Sequence, residues 1–395
     1  MTHPAKSGDP PQRRNGLAWL TDADRTAHEA AVLAGDGLAL PLVRRGTALA
    51  WVQPRHHAAL TAPTALRRAW HQAEAIVLPG MAAAAITEHR SSIDSSLRLV
   101  EQILEGQPPS ALLGQAAYCR RLQRQFDVLG ASEDEGDEQE IETLAFDAVA
   151  AGEVVGENLW LKVSWLSFEE DDASLRFRFS FGLAGYEDVA ADPRRQGCAA
   201  DLCEAVFPES AVVSANAGLR RFLEKILGLK PPAYVERIVY CNAPNGGAQF
   251  HQDVERGHLG VVFAQLHGRT GWLALPKMRL VSEIRHFVQN ADETAWEGDL
   301  SKAARRLLRQ RATNPHGLAR WLDEADNDPL EGLLNRCPGF TRQLLDRGHG
   351  YILYPGDLLL LPQHSVAQCT WHSVFCLDDA PGLALSFALR EGEAP

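Results

Sequence analysis

The chain has 395 residues, and 45% of them are hydrophobic, so it is long and apolar enough to form a large folded core. This composition excludes a disordered chain and a short peptide held together by disulfides. The 39 Lys and Arg residues are outnumbered by 51 Asp and Glu residues, which gives a formal net charge of −12. Such a surface repels a polyanion, so binding to nucleic acid is not expected.

Seven cysteines are scattered along the chain without a close CxxC pair, and their number is odd. This pattern predicts reduced thiols and neither a disulfide framework nor a zinc knuckle. Residues 1–15 are polar, lack the apolar core of a signal peptide, and predict a disordered tail. No run reaches the roughly 18 apolar residues of a membrane helix, so we expect a cytoplasmic protein without membrane contact.

The next region, residues 16–150, is rich in Ala and Leu at helical spacing and predicts a mainly helical N-terminal region. Within it Leu97, Val100 and Leu104 recur on a helical period. The acidic run at 132–142, SEDEGDEQEIE, predicts a solvated loop, with a partner-binding segment as the alternative. This run is a plausible boundary between two regions of the chain.

Residues 151–395 predict a β domain. The stretches 159–168 and 175–181 alternate in polarity on either side of an acidic turn, which is typical of a β-hairpin. A helix is predicted at about 215–227 and a helical insertion at about 281–347. Strand patterns occur at 234–241, 259–266, 271–275, 351–354, 357–361, 370–377 and 383–389. Short strands separated by turns favour a sandwich or barrel over a βαβ fold.

The sharpest local pattern is Phe250-His251-Gln252-Asp253, which follows a predicted strand and a glycine-containing turn. Alternate residues of an extended segment share a face, so the imidazole of His251 and the carboxylate of Asp253 can converge. Two histidines and one carboxylate on one face of an octahedron leave three positions open, which suits non-haem Fe(II). By itself, the pair favours a surface His and Asp that make ordinary hydrogen bonds over a metal site.

Four further motifs follow this pair along the chain. They are AQLHGRTGWLALP at 264–276, PGDLLLLP at 355–362, WHSV at 371–374 and GLALSF at 382–387. In its order and spacing the set resembles the JmjC and cupin-like branch of the Fe(II)/2-oxoglutarate oxygenases. The resemblance covers residues 235–390 and leaves the N-terminal half unmatched. It implies an α+β protein whose core is a double-stranded β-helix, the jelly roll of the cupins.

The resemblance also implies a set of metal ligands, namely His251, Asp253 and a later histidine. His-Ser-Val occurs twice, at His364 and at His372. We favour His372, because it follows a Trp as the family ligand often does and because its distance to the final strand fits. His364 is the alternative third ligand.

The cosubstrate of such enzymes, 2-oxoglutarate, has a distal carboxylate that needs a cation in a partly buried pocket. Where JmjC-like members often carry Lys or Arg, this chain has Thr270. Other branches place an arginine on the final strand, where this chain has Arg390, although a solvated Arg390 is an equal alternative. Thr270 and Asn242 are further predicted contacts to the cosubstrate.

The function implied by the resemblance is that of a dioxygenase that uses Fe(II), 2-oxoglutarate and O2 to hydroxylate or otherwise oxidise an unactivated C–H bond. Because Asp253 is a carboxylate, its coordination position is filled, and hydroxylation is favoured over the halogenation performed by related iron enzymes. The predicted partners are a small-molecule or peptide substrate and a second copy in a homodimer.

Two alternatives remain open for this function. One is a JmjC-type protein hydroxylase, and the other is a cupin-like metal-binding protein or isomerase without oxygenase activity. A basic residue in the pocket discriminates between an oxygenase and the second alternative, because without one the cosubstrate has no partner.

Overall fold

The computed structural model describes residues 39–42, 47–50, 62–132, 140–166, 174–182, 192–229, 232–244, 246–255, 257–296, 300–324, 327–378 and 380–392. These residues form helices and antiparallel strands in an α+β arrangement. The predicted tail at 1–15 and most of the acidic run, 133–139, lie outside the described residues. Among the described helices, none combines the length and the apolar character that a membrane span requires.

The described chain begins with a two-stranded antiparallel sheet, β1 (Ala39–Leu42) and β2 (Thr47–Ala50). Five helices and one short strand follow: α1 (Pro63–His71), β3 (Ile76–Leu78), α2 (Ala83–Glu88), α3 (Arg90–Leu104), α4 (Pro109–Leu113) and α5 (Ala116–Leu122). Helix α3 buries Ile93, Leu99, Val100 and Ile103, whereas Leu104 is exposed. The apolar stripe of α3 is therefore shifted from the one predicted.

The helical region ends before residue 150. Strands β4 (Phe126–Ser132) and β5 (Glu140–Ala150) follow it and pair with each other. In β5, Leu144, Phe146 and Ala148 are buried while the residues between them are more exposed. This alternation with a period of two is that of a strand with one covered face, so the β domain extends N-terminally of the predicted boundary.

The predicted hairpin is confirmed by β6 (Glu153–Trp165) and β7 (Leu175–Phe181), which pair in antiparallel register. The helices after it are α6 (Pro193–Val206), α7 (Ala211–Ser214) and α8 (Ala217–Arg221), which continues as a π-helix over Phe222–Leu227. The remaining strands are β8 (Pro232–Asn242), β9 (Gly247–His251), β10 (Gly260–His267), β11 (Thr270–Pro276), β12 (Gly350–Leu353), β13 (Leu358–Ser365), β14 (Gln368–Cys376) and β15 (Gly382–Glu391). Each lies within a few residues of a predicted strand or of the HxD segment.

These strands form two sheets joined by one hairpin. The larger sheet has the order β13-β10-β15-β8-β7-β6-β5-β4, with β3 paired to β13, and the smaller has the order β12-β11-β14-β9. The hairpin of β13 and β14 connects them through short pairings near its turn. Apolar side chains of both sheets meet between them, among them Phe263 of β10 and Trp272 of β11, whose ring centroids are 4.6 Å apart.

The helical insertion lies between β11 and β12. Its helices are α9 (Lys277–Asn290), α10 (Lys302–Arg311), α11 (Pro315–Trp321), α12 (Asp328–Arg336) and α13 (Pro338–Asp346). They form their own apolar core against the outer face of the smaller sheet, and Phe250 of β9 belongs to that core. Asn335 of α12 accepts a hydrogen bond of 2.8 Å from the backbone N–H of Phe250, so the insertion holds β9 in place.

We expect Gly339→Ala to destabilise the insertion, because a Cβ at this position in α13 would collide with the carbonyl oxygen of Ala295. The expected loss is about 1–3 kcal/mol of the free energy of unfolding, measured by chemical denaturation. Gly197→Ala is the matched control, since Gly197 is exposed in α6 and its added Cβ would meet nothing within 4 Å. That variant should be unchanged or more stable by up to ~1 kcal/mol, and equal losses in both would contradict the packing described.

Candidate metal centre

Two histidines lie directly opposite each other on paired strands of the smaller sheet. In the antiparallel register of β9 and β14, the Cα of His251 is the partner of the Cα of His372. Opposite residues of an antiparallel pair project to the same face, so their rings meet, with centroids 4.2 Å apart. The pairing of β9 with β14 thus brings together two residues that are more than a hundred positions apart in the sequence.

Asp253 completes the group from just beyond the end of β9. Its Oδ1 lies 3.5 Å from Nε2 of His251, and its Oδ2 lies 3.4 Å from Nε2 of His372. One ligand atom from each of the three side chains lies within 4.8 Å of the other two. Two nitrogens and one carboxylate oxygen therefore surround one point.

The backbone fixes which ring nitrogen each histidine presents to that point. Nδ1 of His251 lies 2.7 Å from the carbonyl oxygen of Gln249, and Nδ1 of His372 lies 3.4 Å from that of Thr370. A proton on each Nδ1 satisfies these carbonyls and leaves the Nε2 lone pairs directed at Asp253. This is the orientation that metal-binding histidines adopt in proteins.

The electrostatic surroundings keep His372 neutral. Burial, together with the nearby His251, lowers the pKa of His372 to about 4, although Asp253 acts in the opposite direction. Trp272 stacks on the ring, with centroids 5.7 Å apart. A neutral imidazole held between an indole and a strand is chemically suited to bind a metal ion.

The alternative histidine, His364, lies elsewhere. Its Nε2 is 2.9 Å from the carbonyl oxygen of Trp70, and its ring makes an edge contact with the Trp70 indole at a centroid distance of 5.3 Å. It links β13 to helix α1. The structure therefore brings His372, and not His364, to His251 and Asp253.

The three side chains open onto a cavity of about 500 Å³ between the two sheets. This volume is within the usual range for small-ligand sites. The polar or charged residues that line it are Arg176, Arg178, Glu236, Tyr240, Asn242, Gln249, His251, Asp253, Glu255, His258, His372 and Ser386. The cavity therefore extends from His251, Asp253 and His372 across β8 to β7.

The three residues predicted to contact the cosubstrate are placed differently from one another. Asn242 is buried and lines the cavity. Thr270 is buried away from it, where its hydroxyl donates to Gln265 Oε1 at 2.7 Å and accepts from Trp272 Nε1 at 2.9 Å. Arg390 is also buried and outside the cavity lining, with Nη2 3.7 Å from Glu236 Oε1.

Two arginines of the cavity were missed from the sequence. Arg176 and Arg178 alternate with Leu175, Phe177 and Phe179 along β7, so they share the face opposite to the apolar core. The pattern LRFRFSF shows this alternation. It does not show that β7 pairs with β8 and so brings its arginines beside the HxD segment.

A second group of titratable side chains lies at the same cavity, formed by Glu236, Glu255 and His258. Nε2 of the buried His258 is 3.4 Å from Glu236 Oε1. Glu236 has a φ of 45°, in the left-handed region, next to an irregularity in the pairing of β8 with β15. Burial, followed by Glu236, raises the pKa of Glu255. With Arg390 close to Glu236, this group is an ion-pair network at the cavity wall.

Comparison with known proteins finds no matching protein-family model and no matching curated protein. Among solved structures, the chain matches YcfD from Escherichia coli with a TM-score of 0.28 and 13% identity, over 87% of this chain and 55% of that chain. A second match is YcfD, a ribosomal oxygenase, in complex with cobalt and succinic acid, with a TM-score of 0.27 and 12% identity, over 87% and 54%.

The matched protein, YcfD, is described as a ribosomal oxygenase, and oxygenases are the broad class that the sequence resembles. The chain spans about half the length of these matched chains. Both TM-scores are below 0.5, so this likeness is no argument for a shared activity or substrate.

We expect His372→Ala to weaken Co(II) or Mn(II) binding by more than about 100-fold, because loss of a ligand exceeds the loss caused by changing a residue that only orients one. The measurement is a calorimetric titration of the purified protein. His364→Ala is the control and should bind the metal as the wild type does. Loss of binding in His364→Ala with retention in His372→Ala would reverse the assignment of the third ligand.

The anchoring of β9 by the insertion leads to a second expectation. Asn335→Ala leaves the Phe250 N–H without its acceptor, so β9 loosens and metal affinity should fall by about 10-fold. Asn314→Ala removes the residue that caps α11 in the same insertion and should cost about 1 kcal/mol of stability without changing metal affinity. Equal metal affinity in both variants would show that Asn335 does not position the site.

Proposed function

We propose that this chain is an Fe(II)- and 2-oxoglutarate-dependent dioxygenase of the JmjC and cupin-like type, which oxidises a C–H bond. The observation that carries the proposal is the convergence of His251, Asp253 and His372 on one point in the wall of the cavity. The strand order supports a jelly-roll core, because two antiparallel sheets joined by the β13–β14 hairpin enclose the site.

The donor set fits Fe(II). Two imidazole nitrogens and one carboxylate oxygen are the ligand set typical of the facial triad of non-haem iron, and here the three lie within 4.8 Å of one another. When bound, the iron would bring together O2, the oxidant, and 2-oxoglutarate, which would donate two electrons as it is converted to succinate and CO2. Because Asp253 offers a carboxylate oxygen, the arrangement favours hydroxylation or a related oxidation over halogenation.

The protein's own residues have separate tasks in this proposal. The carbonyls of Gln249 and Thr370 hold the Nδ1 protons, so both rings keep a fixed orientation. Trp272 stacks on His372, Phe263 packs against Trp272, and His372 is buried from water. The wall of the cavity formed by β7 and β8 is polar, and it leaves room for a small molecule beside the cluster.

The competing class, a cupin-like metal protein or isomerase without oxygenase activity, requires no cation in the pocket. Arginine side chains on β7 line this cavity, which supports the oxygenase. For the substrate we propose a small molecule or an amino-acid or peptide group. The net charge of −12 disfavours approach to the polyanionic nucleic acid of ribosomes or chromatin, so a protein hydroxylase that acts there is the alternative.

The test is anaerobic reconstitution with Fe(II) followed by addition of 2-oxoglutarate. Bidentate chelation should produce a weak visible charge-transfer band, and admission of O2 should yield succinate even without a substrate. Asp253→Ala should lose both signals, and a chelator should abolish them in the wild type. A protein that binds the metal yet shows neither band nor succinate would be a cupin-like metal protein and not an oxygenase.

A further inference from the structure

We infer that Arg176, Tyr240 and Asn242 form a carboxylate subsite in the wall of the cavity that also contains His251, Asp253 and His372. The inference rests on the proposed function and names the ligand of this subsite, the distal carboxylate of a 2-oxo dicarboxylate. Its cation is then supplied by β7, a strand outside the region of family resemblance. Neither Thr270 nor Arg390 takes that role.

Strand register brings the three side chains together. The Cα of Arg176 is the partner of the Cα of Tyr240 in the pairing of β7 with β8. Asn242 is two residues farther along β8 and so shares the face of Tyr240. All three line the same cavity as His251 and His372.

Their polar groups are available to a ligand. Asn242 is 3% exposed, yet among the described residues its side-chain amide has no hydrogen-bond partner. The Tyr240 hydroxyl likewise has none there, and burial raises the pKa of Tyr240 to about 12, so the hydroxyl stays protonated and able to donate. Both residues line the cavity, where a ligand or water can reach these polar groups and satisfy them.

Arg176 uses only part of its donor capacity. Its Nε donates to Ser164 Oγ at 3.2 Å, which fixes the guanidinium, and no carboxylate of the described chain is within ion-pair distance. The planar end of an arginine can bind both oxygens of a carboxylate. Arg176 is therefore a cation held by Ser164, without an ion-pair partner among the described residues, beside two neutral hydrogen-bond donors.

The other two arginines near the cavity already face acidic groups. Arg178 shares the cavity wall with Glu236 and Glu255, its charge acts on both carboxyls, and its guanidinium lies 5.8 Å from the Trp160 ring. Arg390 lies outside the cavity lining, 3.7 Å from Glu236. Only Arg176 combines a place in the cavity with the absence of a described acidic neighbour.

The experiment compares two ligands on the Mn(II)-loaded full-length protein by calorimetry. 2-Oxoglutarate and 2-oxopentanoate chelate a metal equally, but the second has a methyl group in place of the distal carboxylate. We expect the wild type to prefer 2-oxoglutarate by about 30-fold, the effect of one charge-assisted contact. Arg176→Met should remove this preference while leaving the affinities for Mn(II) and 2-oxopentanoate unchanged.

Matched variants test the assignment further. Arg178→Met, two residues away on the same strand face, and Arg390→Met should keep the preference. Arg176→Lys should keep part of it, and Tyr240→Phe and Asn242→Ala should each reduce it by a few-fold. If Arg176→Met keeps the full preference, or another arginine variant loses it, the subsite is wrongly assigned while the proposed function stands.

Two outcomes with the wild type are also decisive. If it binds both ligands equally, there is no carboxylate subsite in the cavity. If the Mn(II)-loaded protein binds neither 2-oxo acid, the proposed function fails together with the inference.

Discussion

The pairing of β9 with β14 is the constraint on which the rest of the site depends. It sets His251 opposite His372, and because side chains alternate along a strand, a shift of one residue would turn one of the rings away. Asp253 can reach both Nε2 atoms only from the end of a strand held in this register. The chemistry of the site is thus a consequence of backbone hydrogen bonding.

Three parts of the molecule hold that register. The hairpin of β13 and β14 ties the smaller sheet to the larger one. The helical insertion packs on Phe250 and accepts its backbone N–H through Asn335, so the residue beside His251 is fixed from outside the sheet. Trp272 packs against His372 from the neighbouring strand. The insertion is therefore part of the support of the site.

The larger sheet contributes the charge pattern of the cavity. Strands β4 to β7 extend this sheet beyond β8, and one face of the extension packs on the N-terminal helices. On the opposite face of β7, Arg176 and Arg178 line the cavity. The acidic side chains of Glu236 and Glu255 lie near Arg178 in the same lining. An N-terminal half without family resemblance thus supplies part of the wall of the cavity.

The sequence by itself determined the residue types that can bind a metal and the strands that carry them, because HxD spacing and apolar alternation are local properties of the chain. It determined the hairpin of β6 and β7 for the same reason. Only the tertiary structure decided that His372, and not His364, lies beside His251. Only the tertiary structure shows that Arg176 lies beside Tyr240. It also shows that Thr270 and Arg390 lie outside the cavity lining. Those outcomes depend on which distant strands pair and in which register, and pairing between strands is set by the packing of the whole sheet.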